Sequence, residues 1–190
     1  TFSSRGLGDV YKRQVLQSPN TFIIDNGNVG IQQPTPGAKL HIDGDIIAEK
    51  QSKARTYLST SQAIPTGSEA KVQLAAESFD ELAEFDVGNN SFTAQKSGYY
   101  LMNAQITWDF LYAGVDYVVT LKVNGGVVLE LPQQLEAGGA QDGQIGCNLS
   151  DIIQLSAGDV VELYVSHNSV GAESLIGGSA YTFLSIYKLP

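Results

Sequence analysis

The 190-residue chain has a single cysteine, Cys147, so no disulfide within the chain is possible. It has only 11 Lys and Arg against 20 Asp and Glu, a formal charge of −9. That excess excludes nucleic acid and anionic membrane as partners, because both demand clustered cations. No apolar run approaches the ~18–20 residues of a membrane span, so membrane insertion is not expected. There are two histidines, His41 and His167, far apart in the chain. They make no zinc pair, and no H-E-x-x-H, G-x-S-x-G or phosphate-loop motif occurs. No catalytic residue, cofactor or metal site is therefore expected, and the chain does not read as an enzyme. Glycine shows no period of three, so a collagen-like stem is excluded too.

Twenty glycines, nine tyrosines and many Val, Ile and Thr are present, a composition that favours strands joined by tight turns. The sharpest strand is Gly98-Tyr-Tyr-Leu-Met-Asn-Ala-Gln-Ile-Thr-Trp108. Tyr100, Met102, Ala104, Ile106 and Trp108 form an apolar face and are assigned to a core, with Leu163 from a later strand. Tyr99, Leu101, Asn103 and Gln105 form the other face. It is uncharged and partly aromatic, as faces covered by another subunit are. The end of the chain, 180–189, repeats this pattern: Phe183 and Tyr187 share one face, Leu184 and Ile186 the other.

Between these lie further alternating runs. Tyr117 to Val123 and Val127 to Leu131 flank Asn124-Gly125, a hairpin signal. Ile145 to Leu155 and Val161 to Val165 flank Ala157-Gly158-Asp159. Lys71 to Ala75 reads as a strand, and Gly88-Asn-Asn90 as a turn between two short ones. Residues 54–190 form an all-β head of about 140 residues, enough to bury roughly two thirds of its unfolded surface. Eight or so strands at this spacing predict a sandwich or jelly roll. Cys147 shares the parity of Ile145 and Leu149 and reads as a buried thiol.

Residues 15–53 differ. Short apolar runs (Phe22 to Ile24, Val29 to Ile31, Leu40 to Ile42, Ile46 to Ile47) alternate with turns at Asp25-Asn-Gly27, Pro34 to Gly37 and Asp43-Gly44. Such a segment gains a core only by stacking on itself or on other copies. Residues 45–57 carry some helical character without a clean stripe and are read as a neck.

Three resemblances add to this. Asn26-Gly-Asn-Val-Gly-Ile31 with Pro36-Gly-Ala-Lys-Leu-His-Ile-Asp-Gly44 resembles the repeat of phage tail fibres and bacterial surface fibres. That implies a trimeric β-stalk, although one copy is present and Gln32-Gln33 stands where Gly-Thr is common. Residues 4–14 resemble the translation of a sequencing-library adaptor. Residues 1–14 are then expected to lie outside the fold, and the chain to begin inside a longer protein. Finally, Phe92-Thr-Ala94, Gly98 to Gln105, Leu121-Lys-Val-Asn-Gly125, Ile152 to Leu163 and Tyr181 to Leu189 occur in the order seen in complement C-one-q-like and tumour necrosis factor-like heads. This resemblance implies a jelly roll of about ten strands and a homotrimer. In it, Tyr99, Leu101, Asn103, Gln105, Phe183 and Tyr187 would face the threefold axis.

A rigid sandwich displays function on its loops. Asp109, Phe110, Tyr112 and Asp116, with His167 at the end of a strand, are the candidate ligand residues, an aromatic-plus-carboxylate set suited to a sugar. The loops 133–144 and 167–178 are further candidates. The preferred alternative is that these residues cap the sandwich or meet a neighbouring subunit. Gly177-Gly178-Ser179 reads as flexible. Asp80, Glu81, Glu84 and Asp86 carry oxygens of the kind Ca²⁺ takes, as do Asp109, Asp116 and Asp142, but the spacing fits no calcium loop. A solvated acidic connection is the preferred reading.

The expected function is a non-catalytic, trimeric fibre tip on a virion tail fibre or bacterial cell surface. It would bind a cell-surface glycan or protein receptor. The alternatives are a secreted complement-like pattern-recognition lectin and, with less support, a tail-fibre enzyme that cleaves polysaccharide.

Overall fold

The computed structural model describes residues 22–25, 27–44, 50–134 and 144–190. The adaptor-like stretch 4–14, the Ile46 to Ile47 run and Asp142 lie outside them. The chain divides into two compact units, Thr1–Ala48 and Glu49–Pro190.

In the first unit, β1 (Phe22–Asp25) pairs antiparallel with β2 (Asn28–Ile31), and β3 (Leu40–Ile42) lies parallel to β2. Gly27 takes φ +78° in the turn between β1 and β2, the left-handed region that glycine enters without cost. Ile31 on β2 and Leu40 on β3 are apolar side chains that remain exposed.

The second unit is built from two sheets. The strands of the first are β4 (Lys53–Tyr57), β5 (Gln62–Ile64), β7 (Ala76–Asp80), β10 (Gly98–Trp108), β13 (Ile145–Leu155), β15 (Glu173–Leu175) and β16 (Phe183–Lys188). Its order is β5-β15-β10-β16-β4-β7, with β13 on the other side of β10. The second sheet contains β6 (Ala70–Lys71), β8 (Phe85–Asp86), β9 (Ser91–Thr93), β11 (Asp116–Val123), β12 (Gly126–Gln134) and β14 (Val160–His167). Its order is β12-β11-β14-β9-β8, with β6 beside β14. Period-two alternation sends one set of side chains from each sheet inward. Tyr100, Met102, Ile106 and Trp108 from β10 and Leu163 from β14 are buried in that core. The Trp108 ring meets Tyr117 edge-on at 5.0 Å, and Phe92 meets Tyr100 at 6.0 Å. Such pairs add about 1 kcal/mol each beyond their buried area.

Several boundaries differ from expectation. Lys53 to Tyr57 is no helical neck but an inner strand, and the second unit starts before residue 54. Ser52 is buried, and its hydroxyl donates to Glu84 at 2.6 Å. The strand expected at Lys71 to Ala75 stops at Lys71. Val72 is buried and still donates its N–H to Leu163 O in register at 2.9 Å, but the Leu74 N–H then turns back to Val72 O at 3.0 Å and the Ala75 N–H to Gln73 O at 2.8 Å, so tight turns take the chain off the ladder. The acidic connection contains β7, and the loop after His167 contains β15. The last strand starts at Phe183, because the Tyr181 and Thr182 amides bond back to Gly178 O in a turn. Gly177 and Gly178 are not slack. A Cβ on Gly177 would lie 2.5 Å from a Thr60 backbone atom, and the Gly178 amide donates to Leu58 O at 2.6 Å.

The eleven-residue β10 gives the unit two ends, about 35 Å apart along the strand. At the Gly98 end, Lys50 O accepts from Lys96 Nζ, Ser52 O accepts from Lys188 N, and Tyr187 pairs with Lys53. The first described residues of this unit therefore lie at that end. The Trp108 end, where β13 begins and β15 ends, is the distal one.

Candidate functional site

Two features of the head are candidates. The first is the outer face of the β13-β10-β16 strands. On β10 it presents Tyr99, Leu101, Asn103 and Gln105, of which Tyr99 and Leu101 are exposed apolar groups. Across the ladders stand Gln154, Ile152, Ser150 and Asn148 on β13, and Tyr187, Ser185 and Phe183 on β16. None of these residues is charged, in a chain with 31 charged side chains. Charge starts only at β4, where Lys53 and Arg55 stand opposite Tyr187 and Ser185. The Arg55 guanidinium lies 4.4 Å from the Phe183 ring centroid and donates to Ser78 Oγ at 2.8 Å and Ser179 O at 2.5 Å.

The second feature is a cleft of about 560 Å³ at the distal end, between the loops 109–116 and 168–173. Tyr112 forms one wall, with its ring tilted 4.6 Å from that of Phe110. Asn168, Val170 and Gly171 form the other, and the buried Ser169 and Glu173 lie at the base. The side chains hold these loops in place. The Tyr112 N–H donates to Tyr117 Oη at 3.0 Å. Asp116 accepts from Asn168 Nδ2 at 2.7 Å and Gln134 Nε2 at 2.8 Å, while the Asp116 N–H donates to Asn168 Oδ1 at 2.8 Å. Asp109 is exposed, and its N–H donates to Ser174 O.

His167 corrects the sequence reading. It is not a loop-tip ligand residue but is 3% exposed, stacked on Tyr117 and edge-on to Trp108. Its Nδ1 accepts the Ser169 N–H, so the ring proton sits on Nε2 and is donated to Ile64 O at 2.9 Å. His167 therefore acts from below, fixing Ser169, whose hydroxyl donates to Glu173 at 2.6 Å. Ser169 and Glu173 enter the sequence analysis only as part of the loop 167–178 and are not singled out there. Their run, Asn-Ser-Val-Gly-Ala-Glu, carries neither periodicity nor motif, and only the fold brings it against Tyr112.

The acidic run does not converge. Asp80 accepts from the Leu82 and Phe85 amides, Asp86 from the Gly88 and Asn89 amides, and buried Glu84 from Ser52 and Gln95. The Asn89 side chain, then the turn amides, hold the Asp86 carboxyl below its usual range. Asp80 and Asp86 each close a local turn, Glu84 ties the run to Ser52 and Gln95, and Glu81 pairs with Lys53.

No protein-family model matches the chain, and no curated protein is significantly similar to it. Solved structures share its fold, an all-β jelly-roll sandwich. Eiger TNF from S. frugiperda superposes with a TM-score of 0.58 at 15% identity, over 74% of this chain and 93% of that one. The globular domain of zebrafish complement 1qA protein gives 0.56 at 10% identity, over 74% and 98%. Murine APRIL gives 0.53 at 15% identity, over 72% and 99%. At these identities the likeness is one of fold.

Proposed function

We propose that this chain forms a homotrimeric attachment module. The uncharged β13-β10-β16 face packs against two other copies, and the distal loops meet a glycan or protein receptor on a cell surface. The module is extracellular, on a virion tail fibre or a bacterial surface, and does no catalysis. One observation carries the reading: an exposed face with Tyr99, Leu101, Ile152 and Tyr187 and no charge, on a strongly acidic chain. A free monomer gains nothing from such a face, whereas a closed ring of three buries it. Like charges would otherwise oppose assembly, and their absence from this face removes that cost. Three sites on one rigid axis then gain avidity from weak single contacts. The exposed Ile31 and Leu40 of the first unit support the same reading, since a short stalk sheet covers its apolar groups only with other copies. The likeness to the zebrafish complement domain favours one alternative, a secreted pattern-recognition lectin. Sedimentation equilibrium of the full chain tests assembly, and a glycan and receptor array tests attachment. A stable monomer at micromolar concentration overturns the proposal.

A further inference from the structure

Among the described residues, Glu173 is an acid without a counter-charge. It is 7% exposed and lines the distal cleft. One oxygen, Oε1, accepts from Ser169; Oε2 has no donor among the described residues. The other buried carboxylate, Glu84, has both oxygens matched, by Ser52 Oγ at 2.6 Å and the Gln95 N–H at 2.8 Å. Glu69, Glu81 and Glu162 have lysines. Burial penalises a carboxylate unless it is paired and hydrogen-bonded. The residues lining the cleft include no Lys or Arg to do so. The charge of Glu173 is felt nearby: burial first, and then Glu173, raise the Tyr117 hydroxyl above its ordinary value.

We infer that the distal cleft is a binding site for a basic side chain, lysine or arginine, of a protein partner. The cation pairs with Glu173 at the base and lies along the ring of Tyr112, which is 49% exposed. Val170, fully exposed on the rim, supplies an apolar contact for the surrounding protein surface, which an isolated sugar amine does not use. Asp116, bonded to Asn168 of the same wall, adds to the negative field, so anionic ligands are repelled. The inference rests on the attachment reading only in taking the distal end as the one that meets a partner. It narrows that partner to a protein with an exposed cation.

The test follows the Ala and Val methyl resonances of the full chain, because Ala113, Val115, Val170 and Ala172 all line the cleft. The probes are blocked lysine and arginine amides, blocked norleucine amide, methyl glucoside and methyl glucosaminide. The basic amides are expected to move the four methyls saturably, more weakly at higher salt, and norleucine amide to leave them still. Glu173→Gln keeps an acceptor for Ser169 and should weaken binding roughly tenfold or more. Tyr112→Ala, at an exposed position that the fold does not depend on, should weaken it a few-fold. Equal response to norleucine, unchanged affinity in Tyr112→Ala, a response to a glycoside alone, or no response overturns the inference. If Glu173→Gln fails to fold, its methyl spectrum shows it, and Tyr112→Ala decides. Trimer mass and array binding stand apart from these outcomes, so the attachment proposal survives or falls on its own.

Discussion

Leu101 on β10 stands directly opposite Tyr187 on β16, and both side chains are open to solvent, at 39% and 41%. Each backs onto a core strand whose next residues, Tyr100, Met102 and Ile186, are buried. The pair forms the middle of the uncharged face.

Leu101→Glu should split the proposed trimer without unfolding the head, since the side chain touches no core. Loss of a central interface contact weakens association by about 2 kcal/mol or more, roughly thirtyfold. Sedimentation should show single chains at concentrations where the wild type is trimeric, with unchanged circular dichroism. A variant that stays trimeric moves the interface elsewhere.

Gly177→Ala should lower stability by about 2–3 kcal/mol through overpacking. The new methyl would lie 2.5, 2.7 and 2.8 Å from the backbone of Thr60 and Ser61, which cannot rotate away. A thermal melt should shift down by about 6 °C or more. An unshifted melt would mean that this glycine is only a flexible joint.

Glu84→Ala should cost about 3 kcal/mol in urea denaturation, because the Ser52 hydroxyl and Gln95 amide lose a buried acceptor together. Glu84→Gln should recover most of the loss. Equal destabilisation by both variants would point to charge rather than hydrogen bonding.

Stability should fall as pH rises from about 9 towards 11. Burial pushes the Cys147 thiol from 9.0 up to about 11 and raises the Tyr100 and Tyr117 hydroxyls. In that window the folded chain keeps protons that the unfolded chain has released, so alkali favours unfolding. Urea midpoints at pH 8, 9, 10 and 11 should decline in order, and Cys147 should react slowly with thiol reagents until the chain unfolds. A flat series contradicts the burial of these groups.

Much of the head was legible because sheet parity is a local property. The buried set Tyr100, Met102, Ile106, Trp108 and the open set Tyr99, Leu101 follow from alternation along one strand, and the Asn124-Gly125 hairpin from two residues. His167 was misplaced because its ring is claimed by Trp108, Tyr117 and Ile64, each from a different strand. Gly177 was read as slack because Thr60, over a hundred positions away, is what it packs against. β7 hid in an acidic run because β4 supplies its ladder, and no side-chain period marks a strand whose partner is distant.

The sequence by itself determined the all-β class, the two faces of β10 and the absence of charge on one of them, since these need only the two-residue period and the order of side chains. The tertiary structure alone decided which buried carboxylate keeps an oxygen without a donor among the described residues. That depends on which loops meet at the distal end, and 168–173 comes beside 109–116 only when the antiparallel β11 and β14 bring Tyr117 opposite His167. Pairing across strands is a non-local choice, driven by burying the whole core at once, and no local pattern in the chain encodes it.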